Sequence, residues 1–195
     1  MNKQMKRVFI IHGWDGKPNE HWMPWLSQQL ETQKFTVYQP EMPESDNPNA
    51  NLWVTALKNE VGVADKDTFF VCHSIGCLAL FKYLEKYREQ IGGAVLVAPW
   101  LTLTSESVST PEAKAIADSW TNPAPNFSLI KGLSPVWVAL FSKNDPDVPF
   151  LENKTLFEDK LSAKVFTYDD KGHFTESEGV TELPVVLEEL LKMTG

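Results

Sequence analysis

Phe69 to Leu84 reads FFVCHSIGCLALFKYL: an apolar run, Phe69 to Cys72, enters His73-Ser74-Ile75-Gly76, and a helical pattern begins at once with no loop between. A strand that turns directly into a helix strains the residue at the turn and projects its side chain outward. The residues two before and two after must be small for the chain to pass, and here they are Cys72 and Gly76. The run therefore fits the G-x-S-x-G pattern of a nucleophile elbow, with Cys in place of the first Gly. A serine before a helix can equally be an N-cap, accepting from the first backbone N–H groups. The five residues alone leave both meanings open.

On either side of this junction, apolar runs rich in β-branched and aromatic residues alternate with amphipathic segments. Strands are predicted at Arg7 to Ile11, Lys34 to Tyr38, Thr68 to Cys72, Ala94 to Ala98, Val136 to Phe141 and Ala163 to Tyr168. Helical periodicity fits Glu20 to Thr32, Asn51 to Val61, Ile75 to Tyr87, Phe150 to Leu161 and Thr181 to Met193. Strands that are apolar throughout are buried on both faces, so the alternation predicts a three-layer α/β/α sandwich on a mostly parallel sheet of about six strands. A length of 195 residues with 43% hydrophobic content suits one domain over 1–195. The stretch Pro99 to Pro135, rich in Ser, Thr, Asn and Pro, reads as an insertion over one end of the sheet, with a short helix near Pro111 to Trp120.

In an open parallel sheet, reactive groups gather in loops beyond the carboxyl ends of the strands, and Ser74 is in such a loop. A serine hydroxyl attacks only if a base takes its proton, and the base needs a third group to fix its tautomer. Of the four histidines, His12 ends the first strand, His21 opens a helix and His73 is the variable position of the elbow. His173, in Lys171-Gly172-His173-Phe174, follows the last strand and can face the same end of the sheet. The acid should lie between serine and histidine in the chain. Asp145 answers, in the loop Ser142 to Pro149, and Asp147, two residues on, is the alternative that spacing leaves open. An anionic intermediate needs backbone donors, for which the N–H groups of Ile75, after the serine, and Trp14, after His12-Gly13, are placed.

Net charge is -8 with a pI near 5.0. Only the short start from Lys3 to Arg7 concentrates basic residues, so nucleic acid and anionic membrane are poor candidate partners. The apolar run Val8 to Ile11 is too short for a secretory signal, and no segment approaches a membrane span, which makes the cytoplasm the expected compartment. Cys72 and Cys77 read as reduced, small core residues. A metal site from Cys72, His73 and Cys77 would need a fourth ligand, and none is near in sequence, so no metal is expected there. Most of the seven tryptophans read as core, while Trp14 and Trp100, just past strand ends, are candidates to line a substrate pocket. The acid-rich segment Glu176 to Glu189 reads as a solvated helix face.

Taken together, the first strand ending in His12-Gly13, the elbow, Asp145-Pro146-Asp147-Val148-Pro149 and Gly172-His173-Phe174 resemble the α/β-hydrolase superfamily. With His21-Trp22-Met23-Pro24-Trp25-Leu26, they are similar to its compact serine hydrolases, the YdeN and retinoblastoma-binding protein 9 group. The resemblance implies a short or absent lid, no metal or organic cofactor, and Ser74, Asp145 and His173 as the triad. The family's Asp-x-x-Val-Pro pattern selects Asp145 over Asp147. The activity it implies is cleavage of a small carboxylic ester, thioester or related acyl bond, with a small-molecule acyl substrate as partner. A second reading keeps the fold as a protein- or ligand-binding module without turnover, since fold does not imply function. A redox or dehalogenase relative lacks its key feature, because the nucleophile is not Asp and no G-x-G-x-x-G follows the first strand.

Overall fold

The strands β1 (Arg7–Ile11), β2 (Thr36–Tyr38), β3 (Thr68–His73), β4 (Gly93–Val97), β5 (Trp137–Ser142) and β6 (Lys164–Tyr168) pair in the order β2-β1-β3-β4-β5-β6. Every neighbouring pair is parallel. This computed structural model describes residues 5–194, so Lys3 of the basic start lies outside the described residues. The helices are α1 (Met23–Thr32), α2 (Ala50–Val61), α3 (Ile75–Tyr87), α4 (Pro111–Thr121), α5 (Phe127–Lys131), α6 (Phe150–Leu161) and α7 (Pro184–Thr194).

Period-two alternation along each central strand feeds two separate cores. Val8 and Ile10, Phe69 and Val71, Val95 and Val97, and Val138 and Leu140 meet Leu26 and Leu30 of α1 and Val186 and Leu190 of α7. The intervening Phe9, Phe70, Leu96 and Phe141 meet Trp53 of α2, Leu80 of α3 and Phe157 of α6 on the other face. Both faces are dry, which is why these strands carry no polar alternation. The three-layer sandwich is therefore as expected, with a sheet that is parallel throughout.

Several boundaries differ, each for a local reason. Helix α1 begins at Met23 rather than Glu20, because the chain turns at Trp22 and Pro24 sits in the first helical turn, where its missing N–H costs nothing. Strand β2 loses Lys34, whose φ of 66° belongs to the turn closing α1. Helix α7 likewise waits for Pro184. Helix α5 was not expected, and it delivers Ile130 into the core. The solvated-face reading of Glu176 to Glu189 is corrected at two points. Glu189 is buried, held by Lys164 at 2.8 Å and Lys192 at 2.7 Å. Glu178 closes a capping box with Thr175.

The segment after β4 is anchored by a residue to which the sequence assigned nothing. Asn153, fully buried in α6, accepts from the N–H groups of Leu101 and Thr102 through Oδ1. Its Nδ2 donates to Thr102 O, Thr102 Oγ1 and Pro149 O. Truncating it strands several partly buried backbone groups, each costly without a partner. Asn153→Ala is expected to lower unfolding free energy by about 2–4 kcal/mol in a urea titration at unchanged slope; an unmoved midpoint would show that water replaces these bonds.

Candidate active site

Ser74 sits between β3 and α3 with φ 52° and ψ -123°, a left-handed backbone that a non-glycine residue holds only under constraint. Its side chain makes no cap bond to α3, which removes the N-cap reading. Its N–H donates to Val97 O at 2.9 Å, tying the turn to β4. A Cβ at Gly76 would stand 2.6 Å from His12 O, so glycine is what lets α3 lie against the end of β1. Cys72, buried in register between Ile11 and Leu96, is small enough for its place. Ser74 Oγ accepts a hydrogen bond from Trp100 Nε1 at 3.3 Å.

The loops after β5 and β6 meet beside it. His173 Nδ1–H donates to both carboxylate oxygens of Asp145, at 2.9 Å and 3.1 Å. Asp145 is held in turn by the N–H groups of Asp147 and Val148. Asp147, the alternative acid, lies farther away: its Oδ2 is 4.0 Å from His173 Nδ1, and its Oδ1 accepts from Ser107 Oγ at 2.5 Å. Donation through Nδ1 leaves His173 Nε2 as the unprotonated nitrogen of the neutral ring. Left-handed backbone on both sides of His173, φ 49° at Gly172 and 59° at Phe174, makes the sharp turn that presents the ring. A Cβ at Gly172 would overlap the Glu178 carboxylate at 1.8 Å, so the capping box also packs against this turn.

Ser74 and His173 line one cleft of ≈ 240 Å³. Trp14, Met23, Trp100 and Leu103 are its apolar lining residues. Trp14 also fastens its ring to Asp46 O through Nε1. All four histidines border the cleft, three of them without an assigned role in the sequence. His12 is satisfied at both nitrogens, donating to Gly13 O and accepting from Met42 N. His73 Nε2–H donates to the backbone carbonyl of His173 at 2.8 Å, so the elbow itself steadies the base loop. His21 accepts from the N–H of Glu176. The signal for His73 was its place beside the serine; nothing local in the sequence revealed its reach of a hundred residues.

The electrostatics separate these rings. Burial lowers the pKa of His12 and His21, and that of His73 further, with the neighbouring His173 adding to the effect. Burial also acts to lower His173, but the Asp145 hydrogen bond and charge, then Asp147 and Glu178, outweigh it and leave His173 above the ordinary value. Cys72 and Cys77 are pushed upward by burial, and Cys77 Sγ donates to Cys72 O. Among the described residues, Asp145, Asp147 and His173 are the group of possible metal ligands whose donor atoms converge. There His173 Nδ1 is engaged with Asp145.

A parallel six-stranded sheet between helices, with a strained serine turn and an Asp-paired histidine at its carboxyl edge, fits the α/β-hydrolase superfamily. The serine hydrolase family model matches residues 8–192, and the chain belongs to that family. It is 30% identical to YdeN of Bacillus subtilis over 187 residues, covering 95% of this chain and 94% of the relative. It is 26% identical to the serine hydrolase RBBP9 of Rattus norvegicus over 180 residues, covering 91% of each. The crystal structure of YdeN superposes with a TM-score of 0.88 at 28% identity, covering 97% of this chain and 99% of that one. Est1E from Butyrivibrio proteoclasticus, at 16% identity, shares the fold with a TM-score of 0.74 over 99% of this chain and 90% of that one.

The second carboxylate near His173 has a measurable consequence. Asp147→Asn is expected to move the His173 titration to lower pH, followed by imidazole NMR, because one raising charge is removed while burial stays. Asp145→Asn should move it further in the same direction; an unmoved titration in Asp147→Asn would confine the effect to Asp145.

Proposed function

We propose that the chain hydrolyses a small carboxylic ester, thioester or related acyl bond through an acyl-Ser74 intermediate. The observation that carries this is the Nδ1–H bond from His173 to buried Asp145, which leaves Nε2 to act as a base on the cleft that Ser74 borders. In acylation, Ser74 Oγ attacks the acyl carbon while its proton passes to His173 Nε2, and the imidazolium so formed is stabilised by Asp145. The same nitrogen then returns the proton to the departing alcohol or thiol. Ile75 is the first residue of α3, so its N–H has no partner within the helix and can face the oxyanion, with the N–H of Trp14 as the second donor. Water, activated by His173, repeats the sequence and releases the acid. The small, largely apolar cleft favours short acyl groups.

A fluorophosphonate probe reacts with a serine when a base and an oxyanion site are assembled around it. Intact-mass spectrometry should show one adduct on Ser74, absent in Ser74→Ala and slowed by roughly 10³-fold or more in His173→Ala. A folded protein that takes no adduct would overturn this function and leave a ligand-binding role for the cleft.

A further inference from the structure

Trp100 is 1% exposed, yet its indole N–H is spent on Ser74 Oγ and not on a carbonyl of the core. Two other buried tryptophans give theirs to backbone carbonyls, Trp53 to Pro43 O and Trp120 to Pro48 O, while Trp22 Nε1 has no partner among the described residues. The placement is built from both sides. On one, Ala98 takes a φ of 47° directly after β4 and is pinned by its N–H to Leu140 O. On the other, Leu101 and Thr102 are clamped by Asn153. Further on, Thr104 donates through its N–H to Asp147 O and through Oγ1 to Pro146 O, so the same segment grips the acid loop. The backbone on both sides of Trp100 is thus fixed, which sets where its indole N–H meets Ser74.

We propose that the Trp100 indole N–H is a catalytic donor to Ser74 Oγ whose effect falls on deacylation, the half-reaction in which that oxygen is the leaving group. This rests on the acyl-serine function above. In acylation the donor has opposing effects: it withdraws density from Oγ as a nucleophile, and it stabilises the charge left as the proton passes to His173. In deacylation both effects favour reaction. On the acyl-enzyme, Oγ is an ester oxygen, and a donor to it makes the acyl carbon more electrophilic toward water. After water adds and gives its proton to His173 Nε2, the bond between the acyl carbon and Oγ breaks and its electron pair returns to Oγ. His173 Nε2–H then delivers the proton to Oγ, and the carboxylic acid departs. At 3.3 Å the resting bond is long, so it has room to tighten onto the charged oxygen, and only such a differential gain accelerates a step.

The test is stopped-flow hydrolysis of a p-nitrophenyl ester, whose good leaving group makes acylation fast. In Trp100→Phe, kcat and KM should fall together by about tenfold, the worth of one hydrogen bond to a partly charged oxygen. Because phenylalanine also trims the cleft wall that Trp100 provides, kcat/KM is read in a protein carrying 3-benzothienylalanine at position 100, where it should stay within about twofold. The p-nitrophenolate burst should approach one per protein, with acyl-Ser74 visible by mass on quenching, while fluorophosphonate labelling keeps the parent rate. Replacing Trp100 by 3-benzothienylalanine keeps the bicyclic shape and deletes the N–H, and should reproduce these results even where the phenylalanine variant fails to fold. A fall in kcat/KM and labelling without a burst, or parental kinetics in the benzothienyl protein, would overturn the inference while leaving the acyl-serine function intact. A parent protein with neither adduct nor turnover would remove both.

Discussion

The left-handed backbone at Ser74 is the constraint around which the site is arranged. A non-glycine residue in that region costs of order 1–3 kcal/mol, and it persists where its surroundings over-determine it. Here the restraints come from two neighbouring strands and from the helix that follows. The N–H of Ser74 is taken by β4 at Val97 O, and its carbonyl accepts from Cys77 N to start α3. Gly76 meets the carbonyls that end β1, which fixes how closely the helix can approach. The sheet is parallel and its central strands are in register, so these restraints arrive at one edge without any long-range adjustment.

The loops gathered at that edge hold one another. Ser142 Oγ accepts from Lys171 N and donates to Asn144 Oδ1, and that oxygen accepts from Gly172 N, which ties the acid loop to the base loop. The elbow reaches the base loop through His73. Thr175 and Glu178 close the far side of the same turn. Positions of Ser74, His173 and Asp145 are therefore not three independent outcomes of packing. They are coupled by hydrogen bonds between the turns that follow β3, β5 and β6, and this limits the errors that would otherwise accumulate between residues distant in the chain.

How much of this was legible depended on whether the physics was local. The four central strands were visible because burial on both faces writes each one as an apolar run, and the elbow was visible because a strand-to-helix turn demands small residues at fixed offsets. Asp145 and Asp147 were not separable by spacing, since two residues in a loop can exchange roles with a small change of backbone. What distinguishes them is that Asp145 is turned inward by accepting from the N–H groups of Asp147 and Val148, while Asp147 is drawn toward Ser107. Asn153 and Glu189 were missed for a related reason. Each is polar on a helix whose pattern reads as amphipathic, and each is buried against a partner from a segment remote in sequence.

The histidines show how the same surroundings sort chemically identical groups. Four imidazoles border one small cleft, and a proton entering it could in principle settle on any of them. Desolvation disfavours the charged form of each, and for His12, His21 and His73 it prevails. His12 is also engaged at both nitrogens, and His73 faces the ring of His173, with centroids 4.9 Å apart, so a second positive charge there would be repelled. Only at His173 do the nearest carboxylates, Asp145 and then Asp147, overcome the cost of burial. The neutral rings thus form a wall that does not compete for the proton, and they owe that neutrality to burial in the sheet-edge packing that also strains Ser74. One arrangement of loops consequently selects which oxygen is exposed in the cleft and which nitrogen beside it can hold a proton.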